Sequence, residues 1–236
     1  MQPKRLLAVW AHPDDEAFGP VGTMQLAHDR GWQTAVVTAT RGDAGQRNLA
    51  QLAPDQTLGD LREQELRCSC ALLGVTRLDV WRYADGGLRD VPAEELIERI
   101  AAVLREWQPS VVLTFGPDGI TGHPDHLTIS AATKLACDRV RAERDDEPRL
   151  YYVTVSPERP VEHSMGAAPP ALPPTAIVDV SAYEPIKRQA LECHASQRDD
   201  WQPLLADQDW LTTDYFYRAF PPAADGAAPE TTILHE

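Results

Sequence analysis

Short apolar runs alternate with helical patterns through the first 155 residues, and this alternation limits the folds open to the chain. It is typical of βα units, in which each helix carries the chain back so that the next strand runs parallel to the last. We therefore predict an α/β fold, a single Rossmann-like domain with a mostly parallel sheet flanked by helices.

The individual segments follow from the apolar runs, the near-helical spacing of apolar residues and the glycines that end helices. We predict strands at 6–10, 34–39, 78–81, 110–115 and 151–155. We predict helices at 22–30, 58–73, 94–107 and 124–141. Further along the chain, we expect a strand at 176–180 and a helix at 183–196.

Length and composition indicate one domain. The chain has 236 residues, of which 43% are hydrophobic, and this suffices for one sizeable core. We place the domain at residues 1–220. Prolines crowd the stretch 156–174, which predicts a loop or lid in which substrate choice would be made. Residues 221–236 are rich in proline and alanine and predict a flexible tail.

The charge balance bears on the class of partner. Lys and Arg number 22 against 36 Asp and Glu, so the formal charge is −14. A protein that follows nucleic-acid phosphates needs a basic face, and this balance argues against a nucleic-acid partner. The apolar stretches fall far short of the roughly 20 residues that cross a bilayer. The N-terminus also lacks a signal-peptide pattern. We expect a cytoplasmic protein with no membrane span.

The four cysteines are too few for a disulfide scaffold. Cys68 and Cys70 lie two apart in a helical pattern, on nearly opposite faces, so they do not indicate a cysteine zinc site. Together with Cys137 and Cys193 they are expected to be buried or idle thiols.

A first polar motif, Ala-His-Pro-Asp-Asp-Glu at 11–16, directly follows the first predicted strand. Ligands of open α/β sheets bind beyond the carboxyl ends of the strands, so its imidazole and three carboxylates lie where a site is expected. Asp14 or Asp15 could instead cap the next helix. The adjacent carboxylates repel one another, and a bound cation is the simplest way to offset that repulsion.

A second motif, His123-Pro124-Asp125-His126, ends the segment that follows the strand 110–115. Pro124 suits the first turn of a helix, which places His123 at the N-cap. Residues three apart share a helix face, so the imidazoles of His123 and His126 can point to one place.

The two strand ends together supply the donors of a catalytic zinc site, which uses three His or carboxylate ligands and leaves a fourth position for water. His12 and Asp15 come from the first motif and His126 from the second. Asp14 would then stand free beside the attacking water. We expect one Zn²⁺ per chain with Fe²⁺ as the alternative, because two imidazole ligands disfavour Mg²⁺. The HExxH and deaminase signatures are absent.

The paired motifs resemble those of the LmbE-like or PIG-L-type zinc-dependent N-deacetylases, which carry AHPDDE near the N-terminus and HPDH much later. Four other stretches are similar to family segments: 40–45 to TRGEAG, 61–75 to RxxEL…LGV, 83–88 to a DGGL turn and 190–197 to ALxxHxSQ. The resemblance covers most of the chain and implies an LmbE-like fold.

Carried over position by position, the resemblance makes His12, Asp15 and His126 the zinc ligands and Asp14 the general base for the attacking water. The chemistry is consistent with amide hydrolysis. Zinc polarises a carbonyl and lowers the pKa of water to about 7. Proton removal by a placed carboxylate usually contributes about 10²–10⁴-fold in rate.

The resemblance assigns further roles around the reacting amide. His123 would stabilise the oxyanion or protonate the leaving amine, with Asp125 holding its ring in the charged form. Asp125 could instead be a helix N-terminal carboxylate favoured by the dipole. Arg62 and Asp85 match positions that contact substrate hydroxyls. Some members carry a Tyr two residues before HPDH, where this chain has Thr121, so a phenol donor is not available there.

We expect a zinc-dependent hydrolase that removes the acetyl group of an N-acetylated amino sugar, an N-acetylglucosamine conjugate such as a thiol-cofactor precursor. Its partner would be that small sugar, and the sequence leaves open whether the chain forms a homo-oligomer. Two alternatives remain, a divalent-metal phosphoesterase and a sugar-binding module without turnover. Asp14 beside a full ligand set favours catalysis, because binding alone needs no base. His194, on a predicted helix, receives no role.

Overall fold

The computed structural model of the chain describes residues 4–45, 52–53, 55–143, 148–159 and 169–235. Within that part of the chain, seven strands form one sheet. They are β1 (Arg5–Trp10), β2 (Gln33–Thr40), β3 (Arg77–Tyr83), β4 (Val111–Phe115), β5 (Arg149–Thr154), β6 (Ala176–Asp179) and β7 (Thr213–Phe220).

The strand order is β3-β2-β1-β4-β5-β7-β6. The first five strands are parallel to their neighbours, whereas β7 runs antiparallel between β5 and β6. In the centre, Leu6 of β1 pairs with Thr34 of β2 and with Val111 of β4. The chain winds outward from β1 to β3 and then returns to β4, so the strand order reverses between β1 and β4. A crevice for a ligand is expected beyond the carboxyl ends of two such strands.

Helices cover the sheet. They are α1 (Asp15–Phe18), α2 (Val21–Asp29), α3 (Leu58–Leu72), α4 (Ala93–Trp107), α5 (Gly119–Gly122), α6 (Pro124–Arg141), α7 (Glu184–Cys193), α8 (Arg198–Trp201) and α9 (Gln208–Thr212).

Local sequence explains where the helices begin. The side chains of Thr57 and Asp60 cap each other's backbone at the start of α3. His123 caps α6 and Pro124 occupies its first turn, as predicted. Both helices carry side chains that line the crevice.

The predicted fold is confirmed: the domain is α/β, and its sheet is mostly parallel and flanked by helices. The strand β7 was not predicted from the sequence. Buried and half-buried residues alternate only in its first half, where Asp214 and Phe216 are buried. Its last four residues are all half-buried. It therefore lacks the apolar run that marked the buried parallel strands. The part of the proline-rich stretch at 160–168 lies outside the described residues.

The end of the chain differs from the expected flexible tail. Ile233 and Leu234 are buried in the core, and Glu230 pairs with Ala176 of β6. The Nζ atom of Lys4 donates to the carbonyl of His235 at 2.6 Å. Two apolar side chains at the end of an otherwise proline- and alanine-rich segment suffice to dock it. The domain boundary at residue 220 stays a prediction.

Two of the cysteines are also not the idle thiols that we expected. Cys68 on α3 and Cys193 at the end of α7 form a disulfide, with their Cα atoms 5.8 Å apart. They are 125 residues apart in sequence, and only the packing of α3 on α7 brings them together. Cys70 and Cys137 are free and buried, as expected.

Among the described residues, no helix is both long enough and apolar enough to span a membrane.

Candidate active site

The two sequence motifs meet at the carboxyl edge of the sheet because β1 and β4 are neighbours. Residues 11–16 leave β1 and residues 116–126 leave β4. Both segments line a cavity of about 880 Å³ at this edge. The predicted site residues His12, Asp14 and His126 all face this cavity.

The first motif folds around the carboxylate of Asp15. One oxygen of that carboxylate accepts the backbone N–H of Ala11 at 3.0 Å and that of His12 at 2.7 Å. The turn forces Asp14 to a φ of 106°, in the left-handed region that side chains other than glycine avoid. Such a conformation costs about 1–3 kcal/mol and needs support from its surroundings. Asp14 lies at the N-cap of α1, but its side chain makes no capping hydrogen bond.

The three predicted ligands converge. Nδ1 of His12 lies 3.2 Å from Nε2 of His126. The oxygens of Asp15 lie 3.4 Å from Nε2 of His126 and 3.8 Å from Nδ1 of His12. Ligand atoms around one tetrahedral zinc ion are about 3.3 Å apart, given Zn–N distances of about 2.0–2.1 Å. The two ring nitrogens therefore have the spacing of ligands on a single ion, whereas the two Asp15 distances belong to different oxygens of its carboxylate.

The hydrogen bonds on the far side of each ring show which atoms offer lone pairs to this centre. Nδ1 of His126 lies 3.0 Å from the carbonyl of Gly119, so it carries the proton and Nε2 faces the centre unprotonated. Phe115 stacks on the His126 ring with centroids 4.0 Å apart and fixes its plane. Nε2 of His12 is directed away from the centre, toward Asp85 at 3.0 Å. The neutral His12 ring then offers Nδ1.

Electrostatics favour a positive charge at this centre. Burial disfavours a charged His12, but hydrogen bonds with Asp125 and Asp85 outweigh it and raise the pKa of His12 to about 10. At Asp15, burial is likewise outweighed, by His126 and His12, and the pKa of the carboxyl lies well below its usual range. A raised pKa at His12 and a lowered pKa at Asp15 both mean that this centre favours positive charge, which a bound zinc ion would also supply.

Among the residues that the structure describes, two groups of three ligating side chains have atoms within 4.8 Å of one another, and both include His12. The first adds His123 and His126, and the second adds Asp85 and Asp125. The carboxylates of the second group already accept backbone N–H groups, Asp85 from Ala44 at 2.8 Å. This second group therefore orients the His12 ring from behind, whereas the first faces the cavity.

Asp125 does not hold the His123 ring, which corrects our expectation. Its carboxylate accepts the N–H groups of Gly86 at 2.8 Å and Leu88 at 3.0 Å and lies 3.2 Å from Nε2 of His12. The contact with His123 comes from the backbone, since the N–H of Asp125 donates to Nδ1 of His123 at 3.1 Å. The DGGL turn delivers N–H groups to Asp125, and sequence spacing alone could not reveal this.

The same backbone contact sets the protonation state of His123. Because Nδ1 accepts a hydrogen bond, the proton of the neutral ring sits on Nε2. Burial lowers the pKa of His123, and the nearby rings of His12 and His126 lower it further. The hydrogen bond and the lowered pKa favour a neutral His123 with its proton on Nε2 over the imidazolium that we expected, and the residue lines the cavity.

Arg62 and Asp85 both line the cavity, and both are also hydrogen-bonded to other groups of the protein. One guanidinium nitrogen of Arg62 donates to the Asp14 carboxylate at 2.9 Å and to the carbonyl of Pro13 at 2.6 Å. Another donates to the carbonyl of Gly42 at 3.0 Å. Burial raises the pKa of Asp14 to about 6, and Arg62 opposes this rise. Arg62 thus fixes Asp14 beside the centre.

Sequence analysis left two buried contacts behind this loop unassigned. His194 is fully buried, and its Nε2 lies 2.6 Å from Oε1 of Glu16. Ser196 donates from its backbone and its hydroxyl to Glu65 of α3, at 2.8 and 2.6 Å. The ALxxHxSQ resemblance was the one signal that could have pointed to them.

Comparison with known proteins agrees with this geometry. Residues 7–137 match the sequence family described as PIG-L: GlcNAc-PI de-N-acetylase. The 1D-myo-inositol 2-acetamido-2-deoxy-alpha-D-glucopyranoside deacetylase of Kineococcus radiotolerans is 34% identical, over 83% of this chain and 69% of the relative. The "Probable N-acetyl-alpha-D-glucosaminyl L-malate deacetylase 2" of Bacillus cereus is 27% identical, over 91% of this chain and 97% of the relative.

The fold occurs with other chemistry as well. The crystal structure of GalB, the 4-carboxy-2-hydroxymuconate hydratase of Pseudomonas putida KT2440, matches with a TM-score of 0.70 and 19% identity. The match covers 95% of this chain and 100% of that chain. Such a likeness concerns the fold alone, so the reaction must be argued from the side chains of the site.

Proposed function

Because the chain belongs to the PIG-L family of GlcNAc-PI de-N-acetylases, we propose that it is a metal-dependent hydrolase that removes the acetyl group of an N-acetylglucosamine conjugate. The observation that carries this proposal is the convergence of His12, Asp15 and His126 with Asp14 beside them. These three side chains would hold zinc, with Fe²⁺ as the alternative.

A zinc ion at this centre would polarise the amide carbonyl and make a water molecule more acidic. Asp14 is placed to accept the proton of the attacking water, since its carboxylate lines the cavity and is fixed by Arg62. A new C–O bond then forms at the acetyl carbon. The hydrogen bond from Arg62 also keeps Asp14 from turning away from the cavity.

His123 serves the other side of the amide. Its Nε2–H can donate to the oxygen that gains negative charge, a kind of interaction that strengthens in the transition state. When the C–N bond breaks, the amine nitrogen takes up the proton that Asp14 accepted, and acetic acid, which keeps the other proton of the water, leaves with the free amino sugar. His123 thus supplies a donor in place of the phenol that Thr121 cannot offer.

The cavity lining favours an uncharged group attached to the sugar. In the described part of the chain, each Arg or Lys that lines the cavity already faces a carboxylate: Arg62 faces Asp14 at 2.9 Å, Arg159 faces Asp207 at 3.2 Å and Lys187 faces Asp214 at 3.8 Å. Asp200 and Asp209 add further acidic groups to the lining. A neutral polyol, like the inositol in the Kineococcus relative's name, fits this surface better than a dicarboxylate or a phosphate. The same charges weigh against a phosphoesterase.

Metal content and amine release test the proposal together. We expect the purified wild type to hold one zinc or iron per chain and to release an amine from an N-acetylglucosamine polyol glycoside. His126→Ala should lose both the metal and the activity. Asp14→Asn should keep the metal and lose about 10²–10⁴-fold in kcat. The surface variant His28→Ala is the control and should change neither.

Four results would contradict the proposal or one of its parts. Metal that is retained in His126→Ala would remove the ligand assignment. Full activity of Asp14→Asn would contradict the role of Asp14 as the general base. Binding of the glycoside by the metal-loaded wild type without amine release would favour the sugar-binding module. A preference for a malate glycoside over an inositol glycoside would overturn the inference about charge.

A further inference from the structure

His194 and Glu16 form a buried pair directly behind the AHPDDE turn. Both side chains have no exposed surface. Nε2 of His194 lies 2.6 Å from Oε1 of Glu16. A carboxylate this deeply buried is held in place when both of its oxygens are bonded.

The second oxygen of Glu16 reaches the proposed general base. Oε2 of Glu16 accepts the backbone N–H of Asp14 at 3.1 Å. Asp14 is the residue with the left-handed φ of 106°, a conformation that persists only when neighbouring groups hold it. Glu16 holds the backbone of Asp14, whereas Arg62 holds its carboxylate.

The backbone of His194 is itself anchored. Its carbonyl accepts the N–H of Gln197 at 3.0 Å and the indole N–H of Trp201 at 2.9 Å. Its neighbour Cys193 is tied to Cys68 of α3. A rigid histidine is therefore presented to Glu16.

We propose that His194 is a positioning residue for the hydrolysis: by holding Glu16, it fixes the backbone of Asp14 and thereby the carboxylate that takes the proton from water. This role rests on the proposed function. The metal ligands are independent of it, because the Asp15 carboxylate is held by the N–H groups of Ala11 and His12. Loss of His194 should affect the chemical step and spare metal binding.

The contacts predict a specific kinetic signature. Without a donor at position 194, Glu16 turns to find another partner and releases the N–H of Asp14. Asp14 then relaxes, and a displacement of about 1 Å in a reacting group can cost about 10²-fold in rate. The KM should change by less than about threefold, since neither residue touches the cavity where the sugar would lie.

Three variants and one double variant test the role in the metal-loaded enzyme. His194→Leu removes the donor and should lower kcat by about 10²-fold. His194→Gln keeps an amide N–H and should recover at least part of that loss. Glu16→Gln breaks the link at its other member, so His194→Leu should have little further effect in that background. Gly31→Ala, at an exposed turn far from the site with φ of +75°, controls for lost stability and should keep its kcat.

The outcomes separate this role from the proposed function. A folded, metal-loaded His194→Leu with wild-type kcat overturns the positioning role alone. Independent, additive losses in the double variant also overturn it, because His194 would then not act through Glu16. Loss of metal in His194→Leu points to a general structural role instead. A metal-loaded wild type without deacetylase activity overturns the proposed function, and the positioning role with it.

Discussion

The carboxylate of Asp125 lies 3.2 Å from Nε2 of His12, on the opposite side of the ring from the proposed metal centre. A carboxylate behind a metal-binding histidine fixes the ring orientation and makes the ring a stronger donor. Asp125 is in turn held by the N–H groups of Gly86 and Leu88. The DGGL turn therefore supports the metal centre in two ways. Its Asp85 contacts His12 directly, and its backbone holds Asp125, which also contacts His12.

Replacement of Asp125 should weaken metal binding. We expect Asp125→Asn to lower zinc affinity by about 10–100-fold, the usual effect of losing such a support. Competition with a chelator measures this affinity directly. The control is Asp90→Asn, which makes the same change at an exposed position on the turn that follows. Unchanged affinity with a reduced kcat would instead favour action of Asp125 through His123.

Gly42 is expected to tolerate no side chain, because of Arg62. Its φ is +69°, and an added Cβ would overlap the Arg62 guanidinium that holds Asp14. Gly31 has a similar φ of +75° but open space around it. Both Gly→Ala variants should lose about 1–2 kcal/mol of unfolding free energy from backbone strain.

Only Gly42→Ala should also lose activity, by about 10²-fold, because Arg62 and the base would shift. Urea unfolding and steady-state kinetics of the two variants check this contrast. Equal activity of both variants would show that Arg62 is not needed to place Asp14.

Features set by neighbouring residues in the sequence could be predicted from it, whereas contacts between distant segments could not. Periodicity located the parallel strands, since each apolar run is buried on both faces. The position of the two motifs after predicted strands indicated that His12, Asp15 and His126 lie at strand ends. The partners of those residues could not be read in this way, because they come from distant segments. The turn that binds Asp125 is 39 residues away, and His194 lies 178 residues from Glu16.

The disulfide should stabilise the fold. It closes a long loop between residues 68 and 193 and limits the freedom of the unfolded chain. Cys68→Ser should lower the unfolding free energy by about 2–4 kcal/mol under oxidising conditions. Adding Cys193→Ser should cost little more, because the bond is already lost. Denaturation with and without a reductant checks this, and reduced wild type should match the variant. If the losses of unfolding free energy from the two substitutions added fully, the disulfide would be contradicted.

The buried pair of Lys187 and Asp214 gives a pH-dependent prediction. Burial raises the pKa of Asp214 and lowers that of Lys187, although each partner opposes the other's shift. Asp214 also accepts two hydrogen bonds from Thr23, both at 2.8 Å. Lys187→Met should leave the Asp214 charge without its cation and cost about 3–5 kcal/mol near neutral pH.

The sign of the pH effect follows from the raised pKa of Asp214. Between the ordinary carboxyl pKa and this higher value, the folded state binds more protons than the unfolded state, so stability falls as pH rises. Without Lys187 the pKa should rise further, and the deficit of Lys187→Met should shrink as pH falls toward 5. Adding Asp214→Asn removes the charge and should abolish this pH dependence. Thermal unfolding at several pH values measures it, and a deficit that grows on acidification would contradict the charge argument.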